Sequence, residues 1–308
     1  MPDAPRTPIV IAHRGASGYR PEHTLAAYEL AVQLGADFIE PDLVSTRDGV
    51  LIARHENEIS ETTDVADHPE FAGRRTTRRI DGVDVTGWFT EDFTLAEITT
   101  LRARERLPFR SQEFNGRFPV PTFAEVLDLA RRASAETGRT IGVYPETKHP
   151  TYFRSIGLPL EEPLLHSLER VGHGESVPVF IQSFETGNLR ELRRWTDLPL
   201  IQLLDVGQPY DLARIAAYAD GIGPNKRLLV PEDREGRLQP ATSLVDDAHR
   251  AGLLVHAWTF RGEGRFLAPE YGEEPESEYH QFFSLGVDGV FSDFPDAAVR
   301  ARGRWSPR

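Results

Sequence analysis

Two carboxylates stand two residues apart in an apolar run, Glu40-Pro41-Asp42, and a carboxylate and a cation repeat that spacing at Glu146-Thr147-Lys148. Side chains alternate faces along a strand, so Glu40 and Asp42 point the same way, as do Glu146 and Lys148. Like charges side by side in a partly buried mouth repel unless a cation lies between them. Three carboxylates, with no cysteine in the chain and no His-x-His pair, form an all-oxygen donor set. Such a set suits one divalent cation, Ca²⁺ or Mg²⁺, and argues against zinc. His13 and His55 are groups able to exchange protons near neutral pH. Arg14 offers a guanidinium that can clamp a phosphate through two hydrogen bonds, and Gly15 permits close backbone approach. Among the other histidines, His256, two residues from Trp258, belongs to a core. His23 caps or packs a helix start. His68, His149, His166, His173, His249 and His280 belong to loops or helix surfaces.

Residues this far apart in sequence need a frame that gathers strand ends. Short β-rich runs alternate with amphipathic helical patterns, as in βαβ units around a parallel sheet. The predicted strands are Ile9–Ala12, Phe38–Val44, Ile141–Tyr144, Val179–Ile181, Leu200–Leu204, Gly221–Gly223, Leu253–Trp258 and Gly289–Phe291. The predicted helices are Thr24–Leu34, Phe123–Ala133, Glu162–Val171, Leu189–Trp195, Leu212–Ala219, Ser243–Ala251, Tyr279–Leu285 and Ala297–Arg302. Eight repeats predict a TIM (β/α)₈ barrel, in the α/β class, whose active site forms at the C-terminal ends of its strands. Those ends carry His13-Arg14-Gly15, Glu40-x-Asp42, Glu146-x-Lys148, Gln182-Ser183-Phe184 and His256-Ala257-Trp258. The turn signal Thr46-Arg47-Asp48-Gly49 followed by Val50–Ala53 predicts a hairpin that returns His55 to the mouth. The roughly 60 residues from Glu56 to Phe118 then read as an inserted subdomain near the mouth within a single barrel domain, residues 1–308. Phe89, Phe93, Leu95, Ile98 and Leu101 give it an apolar pattern. Its arginine pairs, Arg74-Arg75 and Arg78-Arg79, read as a solvated charge run.

The chain has 308 residues and a net charge of −13, from 48 acidic and 35 basic side chains. That field disfavours nucleic acid as a partner, while a metal and a few bases can still invert the sign locally for a small phosphate ester. No apolar run reaches the ~18 residues of a membrane-spanning helix, so no integral membrane association is expected. The first residues lack an apolar leader, which predicts a cytoplasmic protein, or a periplasmic or secreted one if the chain is a trimmed mature form.

The stretch from His13 to Thr24, HRGASGYRPEHT, resembles the opening motif of the glycerophosphodiester phosphodiesterase family, and most of all its periplasmic-type branch. Glu40-x-Asp42, Thr46-Arg47-Asp48-Gly49, His55, Glu146-x-Lys148, Gln182-Ser183-Phe184 and Trp258 continue the resemblance in order, from about Ile9 to Pro295. It implies His13 and His55 as the acid–base pair, and Glu40, Asp42 and Glu146 as ligands of Ca²⁺ or Mg²⁺. Arg14 and Lys148 would hold the phosphate, and Trp258 would line the glycerol pocket. It further implies a glycerophosphodiester substrate whose own hydroxyl attacks phosphorus, giving sn-glycerol 3-phosphate and an alcohol. Many members carry aspartate after the second histidine; here Glu56 stands there, and if it met the metal or its water it would alter metal preference. Asp293 reads as a cap for a helix starting at Pro295. Two alternatives stand beside this reading: a phospholipase D-like enzyme on lysolipid or sphingolipid, and a catalytically silent phosphate-binding barrel.

Overall fold

A computed structural model describes residues 7–170 and 177–305. Val171, at the end of a predicted helix, and His173 lie outside the described residues.

The strands are β1 Ile9–His13, β2 Phe38–Glu40, β3 Asp42–Ser45, β4 Leu51–Ala53, β5 Thr76–Ile80, β6 Val83–Gly87, β7 Gly142–Val143, β8 Glu146–Thr147, β9 Ile181–Ser183, β10 Leu200–Leu204, β11 Gly221–Pro224, β12 Leu254–Phe260 and β13 Gly289–Ser292. β2 and β3 are one predicted strand broken at Pro41, and β7 and β8 are the third strand broken at Pro145. Proline has no N–H to give to a ladder. Bonds from Tyr144 N to Ile39 O, Glu146 N to Pro41 O and Gln182 N to Pro145 O, each 2.9 Å, carry the sheet across both breaks. Counting each broken strand as one, the sheet closes. β1 pairs with β2, β2 with β7, β3 with β8, β8 with β9, and so on in parallel to β13, which pairs back to β1. This is the (β/α)₈ barrel. β4 adds to it antiparallel, Leu43 opposite Ala53, as the hairpin reading required.

Two apolar layers hold the frame. The outer one lies between strands and helices and is fed by residues such as Val10, Tyr28, Val126, Leu164 and Phe282. The helix Phe123–Thr137 shows how sequence delimits these elements. Thr122 and Glu125 form a reciprocal capping box at its start, and Gly138 takes the left-handed conformation at its end, φ 66°. The inner layer fills the barrel with Ile11, Phe38, Tyr144, Ile201 and Phe291. His256 is here, 1% exposed, its Nδ1 2.7 Å from the Tyr144 hydroxyl, which matches its assignment to the core. Gly142 and Gly289 make room: a Cβ on Gly142 would stand 2.1 Å from the Phe38 ring, and one on Gly289 2.9 Å from His256.

The insertion folds around Ile59, Val65, Phe71, Phe89, Phe93 and Leu101, all buried. Its β5–β6 hairpin is antiparallel and faces solvent. Neither arginine pair lines the strand-end cavity. Arg74 meets Glu97, Arg78 meets Asp92, and exposed Arg79 lies 3.4 Å from Asp84. Among the described residues, no helix is long and apolar enough to cross a membrane.

Candidate active site

The C-terminal strand ends converge on a cavity of about 290 Å³. His13, Arg14, Glu40, His55, Glu146, Lys148 and Trp258 line it, seven of the eight predicted site residues. Asp42, 1% exposed, is not part of the wall but joins Glu40 and Glu146, with one ligand atom from each lying within 4.8 Å of the others.

This triad is electrostatically incomplete. Burial and then the charges of Asp42 and Glu146 hold Glu40 well above the ordinary carboxylate range. Burial, opposed by Lys148 and reinforced by Asp42, raises Glu146 as well. Burial also opposes ionisation of Asp42, but Lys148 and a hydrogen bond from His23 more than offset it and hold Asp42 low. Protein groups alone therefore do not sustain three negative charges here. Two buried oxygens, Asp42 Oδ1 and Gln182 Oε1, have no hydrogen-bond partner. Gln182 Nε2 donates to Glu40 Oε1 at 3.0 Å, so its orphaned oxygen sits on an amide already bound to the triad. Buried polar atoms without partners are rare, and oxygens beside three carboxylates fit a hard divalent cation.

The turn after β1 is built for the triad. Arg14 and Gly15 both take left-handed conformations, φ 61° and 85°. The turn points the Arg14 N–H at Glu40 Oε2, 2.8 Å away. His23 and His149 also have positive φ, 56° and 49°. Non-glycine residues held there cost about 1–3 kcal/mol each and cluster at functional sites. The Arg14 side chain is partly committed to protein acids: Nη1 donates to both oxygens of Glu22, at 3.1 and 3.2 Å, and Nε lies 3.4 Å from Asp42.

Each cavity histidine has a carboxylate behind it. His13 Nδ1 is 2.6 Å from Asp293 Oδ1, and His55 Nδ1 is 2.8 Å from Glu56 Oε1. A carboxylate at Nδ1 assigns the proton there and leaves Nε2 as the lone pair presented to a ligand. Burial, then Arg14, lowers the His13 pKa against the pull of Asp293. Desolvation, then Arg14 and Lys148, lowers that of His55, although 30% of its side chain reaches solvent. Both shifts favour the neutral imidazole, the form that can accept a proton. Lys148 Nζ bridges Glu146 Oε1 at 2.9 Å and His55 Nε2 at 3.2 Å. Burial disfavours the Lys148 charge, but Glu146 and Asp42 more than offset it and raise its pKa. Trp258 stands edge-on to Phe184, centroids 5.8 Å apart, with its Nε1 donating to Gly223 O.

The structure decides three sequence readings. Asp293 does not cap the helix Pro295–Arg304, whose start has no side-chain cap; its carboxylate is taken by His13, Arg110 and Arg261. Glu56 does not join the triad: it bridges His55 and His149, and the latter reaches Asp81 of the insertion hairpin. His23 is wholly buried, and the helix cap beside it is Thr24. The His23 ring is fixed between the Tyr28 hydroxyl, 2.8 Å from Nδ1, and Asp42, 2.9 Å from Nε2. Sequence reasoning also missed Arg54, 1% exposed, which donates to the carbonyls of Glu22, His23, Ala53 and Thr62 and so ties the His55 arm to the turn after β1. Asp293 was findable by the strand-end rule, since it directly follows β13. Arg54 is one arginine in a chain rich in them.

Asp293 makes a measurable statement about acid stability. Burial opposes its charge, but the His13 contact, Arg110 and Arg261 hold its pKa well below the unfolded value of ~3.9. A depressed pKa stabilises the fold above ~pH 4, and that stabilisation drains as pH falls through the unfolded and then the folded pKa. Asp293→Asn should therefore be clearly less stable than the parent in urea at pH 6, with the gap narrowing by pH 3. A gap that stays constant with pH would show that the carboxylate's charge is not what stabilises.

A family model described as the glycerophosphoryl diester phosphodiesterase family matches residues 13–297. Glycerophosphodiester phosphodiesterase GDPD6 of Arabidopsis thaliana is 40% identical over 316 residues, covering 93% of this chain and 84% of that protein. A glycerophosphodiester phosphodiesterase of Bacillus subtilis is 32% identical over 302 residues, covering 94% and 84%. The solved structure of an Oleispira antarctica phosphodiesterase in complex with the product sn-glycerol-3-phosphate superposes with a TM-score of 0.70 at 22% identity, covering 96% of each chain.

Proposed function

Since the chain belongs to the glycerophosphoryl diester phosphodiesterase family, we propose that it hydrolyses glycerophosphodiesters such as glycerophosphocholine and glycerophosphoethanolamine to sn-glycerol 3-phosphate and the alcohol. Glu40, Asp42 and Glu146 would hold one divalent cation, Ca²⁺ or Mg²⁺, and His13 and His55 would carry the protons. The observation that carries this reading is the pairing, at one cavity, of a buried carboxylate triad with two histidines, each backed by an acid.

When bound, the cation supplies charge that offsets the phosphate and polarises its oxygens. Lys148, and the part of Arg14 not held by Glu22, face the same cavity and oppose the charge that grows on the non-bridging oxygens. One imidazole, neutral, takes the proton of the attacking hydroxyl through Nε2, and the other, entering the step as the imidazolium, gives its Nε2 proton to the departing alkoxide. The described residues hold no activated protein nucleophile. Ser17 Oγ donates to His13 O, and Ser183 Oγ accepts from Glu185 N. The attacking oxygen is then the glycerol hydroxyl next to the phosphorus, which benefits from a large effective molarity, and water opens the resulting cyclic phosphate. Residues 56–118 act as a subdomain at the mouth.

The test is release of sn-glycerol 3-phosphate from glycerophosphocholine, run beside its 2-deoxy analogue. We expect turnover of the first and slow turnover of the second. No glycerol 3-phosphate from any such diester would remove the substrate assignment. Equal turnover of the two would assign the attack to water.

A further inference from the structure

We propose that one loop of the insertion, Arg106 to Arg110, sets the geometry of the site from outside it. In this proposal Arg110 is a positioning residue for His13 through Asp293, and Arg106 is one for Arg14 through Glu22. The inference rests on the reading of His13 as a proton-transfer group.

The Arg110 side chain is 5% exposed and spends its whole fork on this junction. Nη2 donates to Asp293 Oδ2 at 2.5 Å, Nε to Glu263 Oε1 at 2.7 Å, and Nη1 to Ser17 O at 3.1 Å. Asp293 is thereby divided, one oxygen to Arg110 and Arg261 and the other to His13 Nδ1. A carboxylate held at both oxygens cannot rotate, so the imidazole bound to it is fixed in plane and tautomer. Removing Arg110 leaves Asp293 with Arg261 Nε at 3.2 Å and takes one cation from between buried Asp293 and partly exposed Glu263. Four residues earlier, Arg106 Nε donates to Glu22 Oε2 at 3.1 Å, the carboxylate that grips Arg14.

The loop is shaped for this rather than draped. Arg110 N bonds to Leu107 O, Leu107 N to Glu105 Oε1, and Glu105 N to Asn115 Oδ1. Phe109 lies under the Arg265 guanidinium, 4.1 Å from ring centroid to charge, which anchors the loop to the barrel's own segment after β12. The two arginines touch different parts of the chemistry, so they should fail differently. Loss of Arg110 loosens a proton carrier and should lower kcat. Loss of Arg106, whose side chain is 29% exposed, loosens a phosphate contact and should raise KM.

The experiment uses the full chain with saturating Mg²⁺ or Ca²⁺ and glycerophosphocholine. Arg110→Ala should lose about ten-fold or more in kcat with KM within about two-fold, and Arg110→Lys should recover part of that loss. Arg106→Ala should raise KM several-fold with kcat nearly unchanged. Arg104→Ala, whose guanidinium pairs with Asp67 inside the insertion, should behave as the parent. Imidazole nitrogen shifts of His13 should move in Arg110→Ala. A parental kcat in Arg110→Ala, where His13→Ala has lost turnover, overturns this inference alone. A near-parental His13→Ala removes the reading beneath it. If Arg110→Ala does not fold, Arg110→Lys decides: reduced kcat at a parental melting temperature supports the positioning role, and activity lost only in step with folded fraction overturns it.

Discussion

Alanine at His13 or at His55 is expected to lower kcat by on the order of 10²–10⁴ with the fold intact. Both rings sit at the cavity wall, not in the packed layers, so truncation opens space into solvent instead of a void in the core. Each is held by an acid at Nδ1, which leaves Nε2 for proton exchange, that of His55 lying 3.2 Å from Lys148 Nζ. His23 does not substitute for either, because both its nitrogens are used, one by Tyr28 and one by Asp42, behind the triad. The double variant should lose less than the product of the single losses, since two groups serving one transition state do not act independently. Steady-state kinetics with circular dichroism on each variant is sufficient. A His55→Ala enzyme at parental turnover would take the second proton away from that side of the cavity.

Chelation should abolish activity, and either Ca²⁺ or Mg²⁺ should restore it. The triad makes a second signature that does not depend on turnover. A ligand that binds only the folded protein stabilises it by RT ln(1 + [L]/Kd), about 2.7 kcal/mol at 100 times Kd. The metal-free protein should therefore gain melting temperature on titration with either ion. Glu40→Gln keeps the side chain's shape while removing one of three crowded charges. It should melt at least as high as the parent without metal, since burial and then the charges of Asp42 and Glu146 already oppose ionisation at this position. It should gain little on adding metal and should turn over poorly. Full activity in a preparation shown by elemental analysis to hold no divalent metal would end the proposal.

The barrel and the triad were legible because their signals are local. Glu40 and Asp42 converge for the reason sequence gave, two residues apart on one face, even though Pro41 splits the strand between them. The hairpin that returns His55 was readable from Asp48-Gly49 and the short apolar run after it. What stayed hidden depends on distant contacts. Nothing in the spacing of Arg106 and Arg110 separates them from Arg74 or Arg78, yet the first two reach the site and the others pair with acids of the insertion. Glu56 was noticed for its place after His55, but its target, His149, lies 93 residues away. One helix start was shifted by proline: the helix predicted to begin at Tyr279 begins at Pro275, because proline is favoured in a first turn, where the missing N–H costs nothing.

The pairing of β1 with β13 has a consequence for how this protein comes into being. His13 and Asp293 are 280 residues apart and meet only where the ring of strands closes. A chain emerging from the ribosome presents His13 280 residues before Asp293. Until β13 is made, β1 has an unpaired edge and the inner aromatic layer lacks Phe291. Such long-range pairing slows folding and exposes strand edges to aggregation meanwhile. If His13 carries a proton as proposed, that role waits on the same closure: a copy synthesised only as far as β12 has no Asp293 behind His13.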